Sequence, residues 1–456
     1  MPLKLFSHQK RGVELLSEHE SFGLFWDMGS GKTLTMLMHL SNLMLAGEVE
    51  KALWLAPKSA LGAVERDIDC LRKNGLAYRA DILEERLVCM NYEKLSRKDS
   101  KWRKLVEKED WDLLVLDEAH CIARPTSNRT KFIVGTKRSK GLAGKIKYRY
   151  AMTGTPVTNS RLEDFWSFLK LMDKDYMSYT EFEEKYTRFR YIPGTHIKIY
   201  TGYSDKEKLL DDVAAYSQSL TKSECLDLPE MMPDTVITVP ISKMQREAYD
   251  TAMLEDVIEL NDDEVVDNGL VRTLRLRQIS AGHVSSKDGF VNLGSEKVSY
   301  AMELISNNPH KTVVFYEFKA SFEMLTDALK RAKIPFMYLN GEQKDKNVWR
   351  EFQNADESEC RVFLAQYRSG NAGIDLYTAS DTIFFEPCLS STVLNQARSR
   401  THRNGVSRAC TFTFLLSEGT IEQDVYGRLQ GHEDFNEKMW VELKRKEYFE
   451  KENKYE

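Results

Sequence analysis

Short apolar runs that end in polar turns recur through the first part of the chain. They are SFGLFW (21–26), KALWLAP (51–57), ERLVCMNY (85–92), WDLLVLDEAH (111–120) and YRYAMTGTP (148–156). Stretches apolar at helical spacing separate them. TLTMLMHLSNLMLAG, which follows the first run, ends in Gly47, a helix stop signal. Continuous apolar strands joined by helices predict a parallel sheet buried on both faces. The pattern returns in HKTVVFYEF (310–318), IPFMYLNG (334–341), CRVFLAQY (360–367), DTIFFEP (381–387) and RACTFTFLLSEG (408–419).

Residues 160 to 300 differ. They read as mostly helical, except for RFRYIPGTHIKIYTGY (188–203), which alternates around Pro-Gly as a β-hairpin. An acidic stretch follows at 255–267, and the C-terminal residues read as a charged helix. The expected fold is α/β, with two parallel-sheet domains in tandem and a central helical and hairpin insertion. The expected boundaries are 1–240, with the insertion at about 160–230, and 241–456, with a short acidic helical insertion at about 250–280.

Length and composition fit this picture. A chain of 456 residues exceeds one compact core, and 42% hydrophobic residues can build two. Net charge is −5, so any nucleic-acid site has to be a local patch. The seven cysteines include no Cys-x-x-Cys pair, which predicts a reducing compartment without disulfides or structural zinc. The opening residues lack a signal-peptide pattern and no apolar run is long enough for a bilayer, so a cytoplasmic protein with no membrane partner is expected.

Chemistry enters at FWDMGSGKT (25–33). A strand, a Gly-rich turn and a helix would aim backbone N–H groups at phosphates. Gly29, Ser30 and Gly31 would form the cradle, Lys32 would reach the β- and γ-phosphates, and Thr33 would hold Mg²⁺. Trp26 stands where the usual pattern has glycine. LDEAH (116–120) closes another strand with two carboxylates: Asp117 suits Mg²⁺, and Glu118 suits activation of the attacking water. Taken alone, Asp-Glu could equally start a helix. In QARSRTHRNG (396–405), Arg400 and Arg403 fall one helical turn apart, as donors to a transferring phosphoryl group or as a solvated basic face.

The ordered set FSHQKRG, DMGSGKT, LAPKS, LDEAH, TGTPVTN, LRLRQIS and QARSRTHRNG resembles the superfamily-two helicase motor, in particular the Swi/Snf class of duplex-DNA translocases. The resemblance covers residues 5 to about 430. RYIPGTHIKIYTGYSDKEKLLDDV with SLTKSECLDLPE is similar to the annealing-helicase branch, and the compact chain also resembles branch-migration helicases of large lytic phages. The resemblance implies two RecA-like domains, ATP with Mg²⁺, and a monomer acting on duplex and branched DNA in a bacterial or phage-infected cell. It implies that Gln9 reads adenine, that His120, Thr153, Thr155 and Gln396 couple nucleotide to DNA, and that Gly373, Asp375, Arg400 and Arg403 close the site from the second domain. Departures from the family pattern are Asn371 for Gly, Asp375 for Asn, Ser399 for Gly and Thr221 for Arg.

Residues 121–150 hold nine Lys or Arg and no Asp or Glu: Arg124, Arg129, Lys131, Lys137, Arg138, Lys140, Lys145, Lys147 and Arg149. They are candidates for phosphate contact without sequence preference, against the alternative of a solvated loop. By the family pattern Lys58 and Lys319 join them. The hairpin, with Arg188, Arg190, Tyr191, His196 and Lys198, reads either as an element that stacks at a DNA fork or as a flap packed on the first domain. Three functional readings follow: a translocase on branched DNA, a general DNA or RNA helicase, and an ATP-gated scaffold.

Overall fold

The computed structural model describes residues 3–156, 161–191, 198–226, 228–254, 257–260, 263–266, 269–286, 289–343, 345, 347–367, 374–431 and 434–435. Two compact units divide the chain, Met1–Asp227 and Leu228–Glu456.

The first unit is built on a six-stranded, wholly parallel sheet. Its strands are β1 (Ser21–Trp26), β2 (Ala52–Ala56), β3 (Leu87–Asn91), β4 (Leu113–Asp117), β5 (Tyr148–Met152) and β8 (Ser217–Leu220), in the order β3-β2-β4-β5-β1-β8. Alternate residues of a strand face opposite sides. Leu53, Leu55, Leu114 and Leu116 therefore enter one core, and Trp54, Leu113, Val115 and Tyr150 the other. Burial on both faces is why these strands read as unbroken apolar runs. The hairpin lies where expected, β6 (Thr187–Tyr191) antiparallel to β7 (Lys198–Tyr203), with an irregularity at Arg188/Phe189. Its turn, 192–197 with His196, lies outside the described residues.

The second unit has the same design. The strands β9 (Thr235–Val239), β14 (Thr312–Tyr316), β15 (Phe336–Leu339), β16 (Val362–Gln366), β17 (Asp381–Phe384) and β18 (Thr411–Ser417) form a parallel sheet ordered β15-β16-β14-β17-β18-β9. Two short antiparallel ribbons precede β14 in the chain: β10 (Val257–Leu260) with β11 (Asp263–Val266), and β12 (His283–Ser286) with β13 (Gly289–Asn292). Among the described residues no helix is long and apolar enough to cross a membrane.

Three expectations need correction. The boundary falls at Asp227/Leu228 and not at residue 240, because Thr235–Val239 is the edge strand of the second sheet, paired to β18. The middle region is helical around its hairpin as expected, with helices Phe165–Met172, Tyr179–Tyr186 and Lys206–Ala214, but it also contributes the edge strand β8 to the first sheet. The acidic insertion is not wholly helical: helices Lys243–Leu254 and Gly269–Ser280 flank the β10–β11 ribbon, whose ends carry β-branched Val257, Ile258, Val265 and Val266.

Candidate nucleotide and nucleic-acid sites

Strand β1 is buried from Phe22 to Trp26, the chain turns through 27–31, and a helix begins at Lys32 and continues to Leu45. Gly29 and Gly31 have φ of 87° and 84°, a region glycine enters without steric cost. A Cβ on Gly31 would also fall 2.2 Å from Gln9 Nε2. Lys32 is buried, and its Nζ donates to the carbonyls of Trp26 (2.7 Å) and Asp27 (3.1 Å). Ser30 is buried and its hydroxyl donates to the Asp27 carbonyl at 2.8 Å. Thr33 is the second residue of the helix and half-buried.

Helix Ser7–Glu18 packs against this loop. The Gln9 side-chain carbonyl accepts the Phe6 N–H at 2.9 Å, and its Nε2 lies 3.4 Å from the Gly31 carbonyl. His8 Nε2 is 2.8 Å from the Ser30 carbonyl. Gln9 is therefore placed at the loop, as its expected role requires.

Strand β4 ends at Asp117, which is buried. Burial pushes its carboxyl up to about 7; neighbouring Glu118 adds to this and Lys32 opposes it. Glu118 sits at φ 50°, a left-handed backbone costing of the order of 1–3 kcal/mol in a residue with a side chain. This turn directs the carboxylate to His120, with Oε2 3.3 Å from Nδ1. The same Nδ1 is 3.2 Å from the Thr153 hydroxyl, just past β5, and that hydroxyl accepts the Thr155 N–H at 3.1 Å. Burial would lower the His120 pKa, but bonds to Cys121 and Glu118 prevail and raise it to about 10. The structure thus brings Lys32, Asp117, Glu118, His120 and Thr153 together at the carboxyl ends of β1, β4 and β5, where open α/β sheets bind ligands.

Hard oxygen donors on Thr33 and Asp117 suit Mg²⁺. Asp117 is a buried carboxylate at the strand end, so a divalent cation fits the donor set. Among the described residues no group of three or more His, Cys, Asp or Glu is arranged to hold a metal ion.

In the second unit, helix Ser391–Thr401 carries Gln396 and Arg400. Arg403 lies beyond the helix end, so the two arginines do not share a helical face as the spacing suggested. They converge on one segment instead. Arg403 pairs with Asp375, while Arg400 Nη1 is 3.5 Å from the Ile374 carbonyl and the Arg400 carbonyl accepts the Leu376 N–H. Gln396 is half-buried and its backbone carbonyl accepts the Ser399 hydroxyl. Gly373 and Asn371 lie outside the described residues.

The basic stretch divides. Arg124, Lys131, Lys137, Arg138, Lys140, Lys145 and Lys147 are exposed. Arg129 is half-buried, 5.4 Å over the Tyr92 ring. Arg149 does not belong to a surface patch: it is buried, and its guanidinium donates to the carbonyls of Ile146, Lys147, Leu171 and Met172. Lys58 is exposed just past β2, and exposed Lys319 pairs with Glu342 at 3.2 Å. In the hairpin, β7 is fastened to its own unit. Tyr200 and Lys198 bind Glu183 at 2.5 and 2.9 Å, and Tyr203 donates to buried Glu163. Arg188, Arg190 and Tyr191 stay exposed.

Sequence reasoning missed Asp27, Gln218 and the turn at Thr221–Lys222. Gln218 accepts the Trp26 indole N–H at 3.1 Å, and the Lys222 N–H donates to the Asp27 carboxylate at 2.9 Å. These contacts come from β8 and the turn that follows it, and the polar sequence of β8 gave no strand signal.

Residues 8–283 match the SNF2-related domain, and residues 296–405 match the helicase conserved C-terminal domain. The chain belongs to the SNF2-related family. The matched residues take in strands of both parallel sheets of the α/β fold. An uncharacterized ATP-dependent helicase of Mycoplasma genitalium is 26% identical over 449 residues, 92% of this chain and 41% of that protein. Chromodomain-helicase-DNA-binding protein 1 of Homo sapiens is 22% identical, over 93% of this chain and 26% of that protein. The chain thus spans less than half the length of either relative. The Sulfolobus solfataricus SWI2/SNF2 ATPase core in complex with dsDNA aligns over 94% of this chain and 92% of its own, with 21% identity and a TM-score of 0.42.

Proposed function

We propose that this SNF2-related chain is an ATP-driven translocase on duplex DNA that remodels branched DNA, at forks or four-way junctions. The observation that supports it most directly is the joined set of Lys32, Asp117, Glu118, His120 and Thr153. A phosphate-loop lysine, an acid pair and a polar relay through His120 are the parts that hydrolysis linked to a second ligand needs.

In this reading the helix N-terminus and the Lys32 ammonium take the phosphates, Lys32 leaving the carbonyls of Trp26 and Asp27 to do so. Thr33 and Asp117 would hold Mg²⁺, which offsets phosphate charge when bound. Glu118 orients the attacking water and takes its proton. Arg400 and Arg403 offer planar, permanently charged donors to the transferring phosphoryl group, and Arg403 exchanges Asp375 for it. Nucleotide contacts that differ between bound and hydrolysed states are what shift a conformational equilibrium and drive movement. The exposed Lys and Arg of 124–147 take backbone phosphates of a duplex without reading its sequence. A cytoplasmic setting is part of the proposal.

The test is ATP hydrolysis by the wild type and Lys32→Ala with duplex DNA, single-stranded DNA, a four-way junction and RNA. Greatest stimulation by the junction, lost in the variant, is expected. Stimulation by RNA or single strands alone would overturn the substrate assignment, and no hydrolysis with any of them would leave the scaffold reading.

A further inference from the structure

We infer that Asp27 is a positioning residue for the phosphate loop, held in place by the backbone N–H of Lys222, so that the segment 218–222 sets how tightly the loop takes a nucleotide. The inference rests on the nucleotide-site reading above and adds the Asp27 carboxylate and Lys222, which that reading does not use.

Asp27 is bonded on two sides. Toward the loop, its carbonyl accepts Lys32 Nζ at 3.1 Å, the Ser30 N–H at 3.3 Å and the Ser30 hydroxyl at 2.8 Å. Away from the loop, its N–H donates to the Leu220 carbonyl and its carboxylate accepts the Lys222 N–H, both at 2.9 Å. The outward bonds extend the β1–β8 ladder, which pairs Trp26 with Leu220. The Trp26 indole adds a bond to Gln218 within that ladder.

The far side is itself fixed. Thr221 caps the short helix Lys222–Cys225 in a box with Glu224, which accepts both the Thr221 N–H and its hydroxyl at 2.7 Å. Lys222 is the first helical residue, where the backbone N–H stands outside the helix's own i to i−4 ladder. The Asp27 carboxylate takes it, in a charge-assisted bond stronger than a neutral one. A loop whose first residue is held from outside keeps its backbone in one arrangement before nucleotide arrives. Ordering costs then fall outside the binding step, which raises affinity.

The geometry supplies a substitution that removes only the donor. Proline is tolerated at the first helical position and lacks the N–H. Thr221 has φ −82° and ψ 160°, the extended backbone that suits a residue before proline. Lys222→Pro is therefore compared with Lys222→Ala, which keeps the N–H. Asp27→Ala is compared with Asp27→Asn, which keeps an acceptor oxygen.

Binding of N-methylanthraniloyl-ATP with Mg²⁺ is measured for the wild type, Lys32→Ala and these four, with steady-state ATP hydrolysis and thermal unfolding on the same samples. Proline should weaken binding about tenfold against Lys222→Ala, and Asp27→Ala likewise against Asp27→Asn. KM should rise with kcat within about twofold, since the bond serves binding and not the transition state. Equal affinities within each pair, with Lys32→Ala still defective, would overturn the positioning role and leave the nucleotide site standing. Wild type and Lys32→Ala binding alike would overturn both. Should the proline variant unfold, the Asp27 pair decides alone: recovery of affinity in Asp27→Asn supports the role, and no recovery sinks it.

Discussion

The indole N–H of Trp26 donates to the side-chain oxygen of Gln218, 192 positions further along the chain. The bond shows why a large residue can stand where phosphate loops usually carry glycine. Trp26 points away from the loop, into the core on one sheet face, and only its backbone carbonyl faces Lys32. Its ring lies against Gly12 of the Gln9 helix and edge-on to His8.

That packing leaves no room at Gly12. A Cβ there would fall 2.4 Å and 2.7 Å from two atoms of the Trp26 ring, which is rigid and enclosed. Gly12→Ala should destabilise the protein by about 1–3 kcal/mol through overpacking. Trp26→Phe, smaller and without the indole N–H, should relieve part of that clash. Urea unfolding of the two single variants and the double variant gives the coupling energy. A double variant costing less than the sum is expected; strict additivity would mean the two sites do not touch.

The basic stretch yields opposite outcomes from residues of one charge. Arg149 satisfies four backbone carbonyls in the interior, so Arg149→Met should cost about 3 kcal/mol or more by leaving acceptors unpaired. Lys137, Arg138 and Lys140 are exposed, and replacing all three with Gln should hardly move the melting temperature. On DNA the order reverses. If the three each neutralise a phosphate, the slope of log affinity against log salt should fall by about 3. Salt titration of duplex binding checks this, and an unchanged slope would return the segment to a solvated loop.

What the chain revealed of itself follows burial. Strands β1, β4 and β5 were legible because both their faces are covered, which forces an unbroken apolar run ending at the polar motif. Ser217–Leu220 and Thr235–Val239 close the two sheets at their edges and are largely half-buried or exposed, so SQSL carries no periodic signal and TVITV drew none. Lys32, Asp117 and Glu118 were legible because phosphate chemistry restricts the residue types. Asp27 and Lys222 were not, because the Lys222 contribution is a backbone N–H that any residue but proline supplies. A count of charges likewise cannot tell Arg149, consumed by carbonyls, from Lys147 beside it.

The contact between His120 and Thr153 joins the acid pair to the loop after β5. If it carries coupling, Thr153→Ala should reduce DNA-stimulated hydrolysis about tenfold and unstimulated hydrolysis much less, with Thr153→Ser restoring stimulation. Equal losses in both rates would indicate damage to the nucleotide site itself. Because His120 is held at about 10, it stays protonated through neutrality, and stimulation should show no inflection from it between about pH 6 and 8.

Glu386 is buried just past β17 in the second unit. Its carboxylate accepts the Ser321 hydroxyl and, at 3.0 Å, the Glu317 N–H; Lys297 and Glu422 act on it electrostatically, and His283 lies 3.3 Å from the Ser321 hydroxyl. Burial lifts its pKa from 4.5 to about 7, with Lys297, paired to Glu422, pulling the other way. Between those two values the folded chain keeps a proton that the unfolded chain has released, so stability falls as pH rises and levels off above about 7. The whole shift corresponds to a loss of the order of 3 kcal/mol. Glu386→Gln keeps the shape and removes the titration, while His283, lowered to about 4, is common to both proteins and cancels in their difference. Denaturant unfolding from pH 4.5 to 8 should show the wild type losing ground to the variant across that interval. A constant difference would mean that Glu386 already carries its charge throughout, held by Lys297 more strongly than burial opposes it.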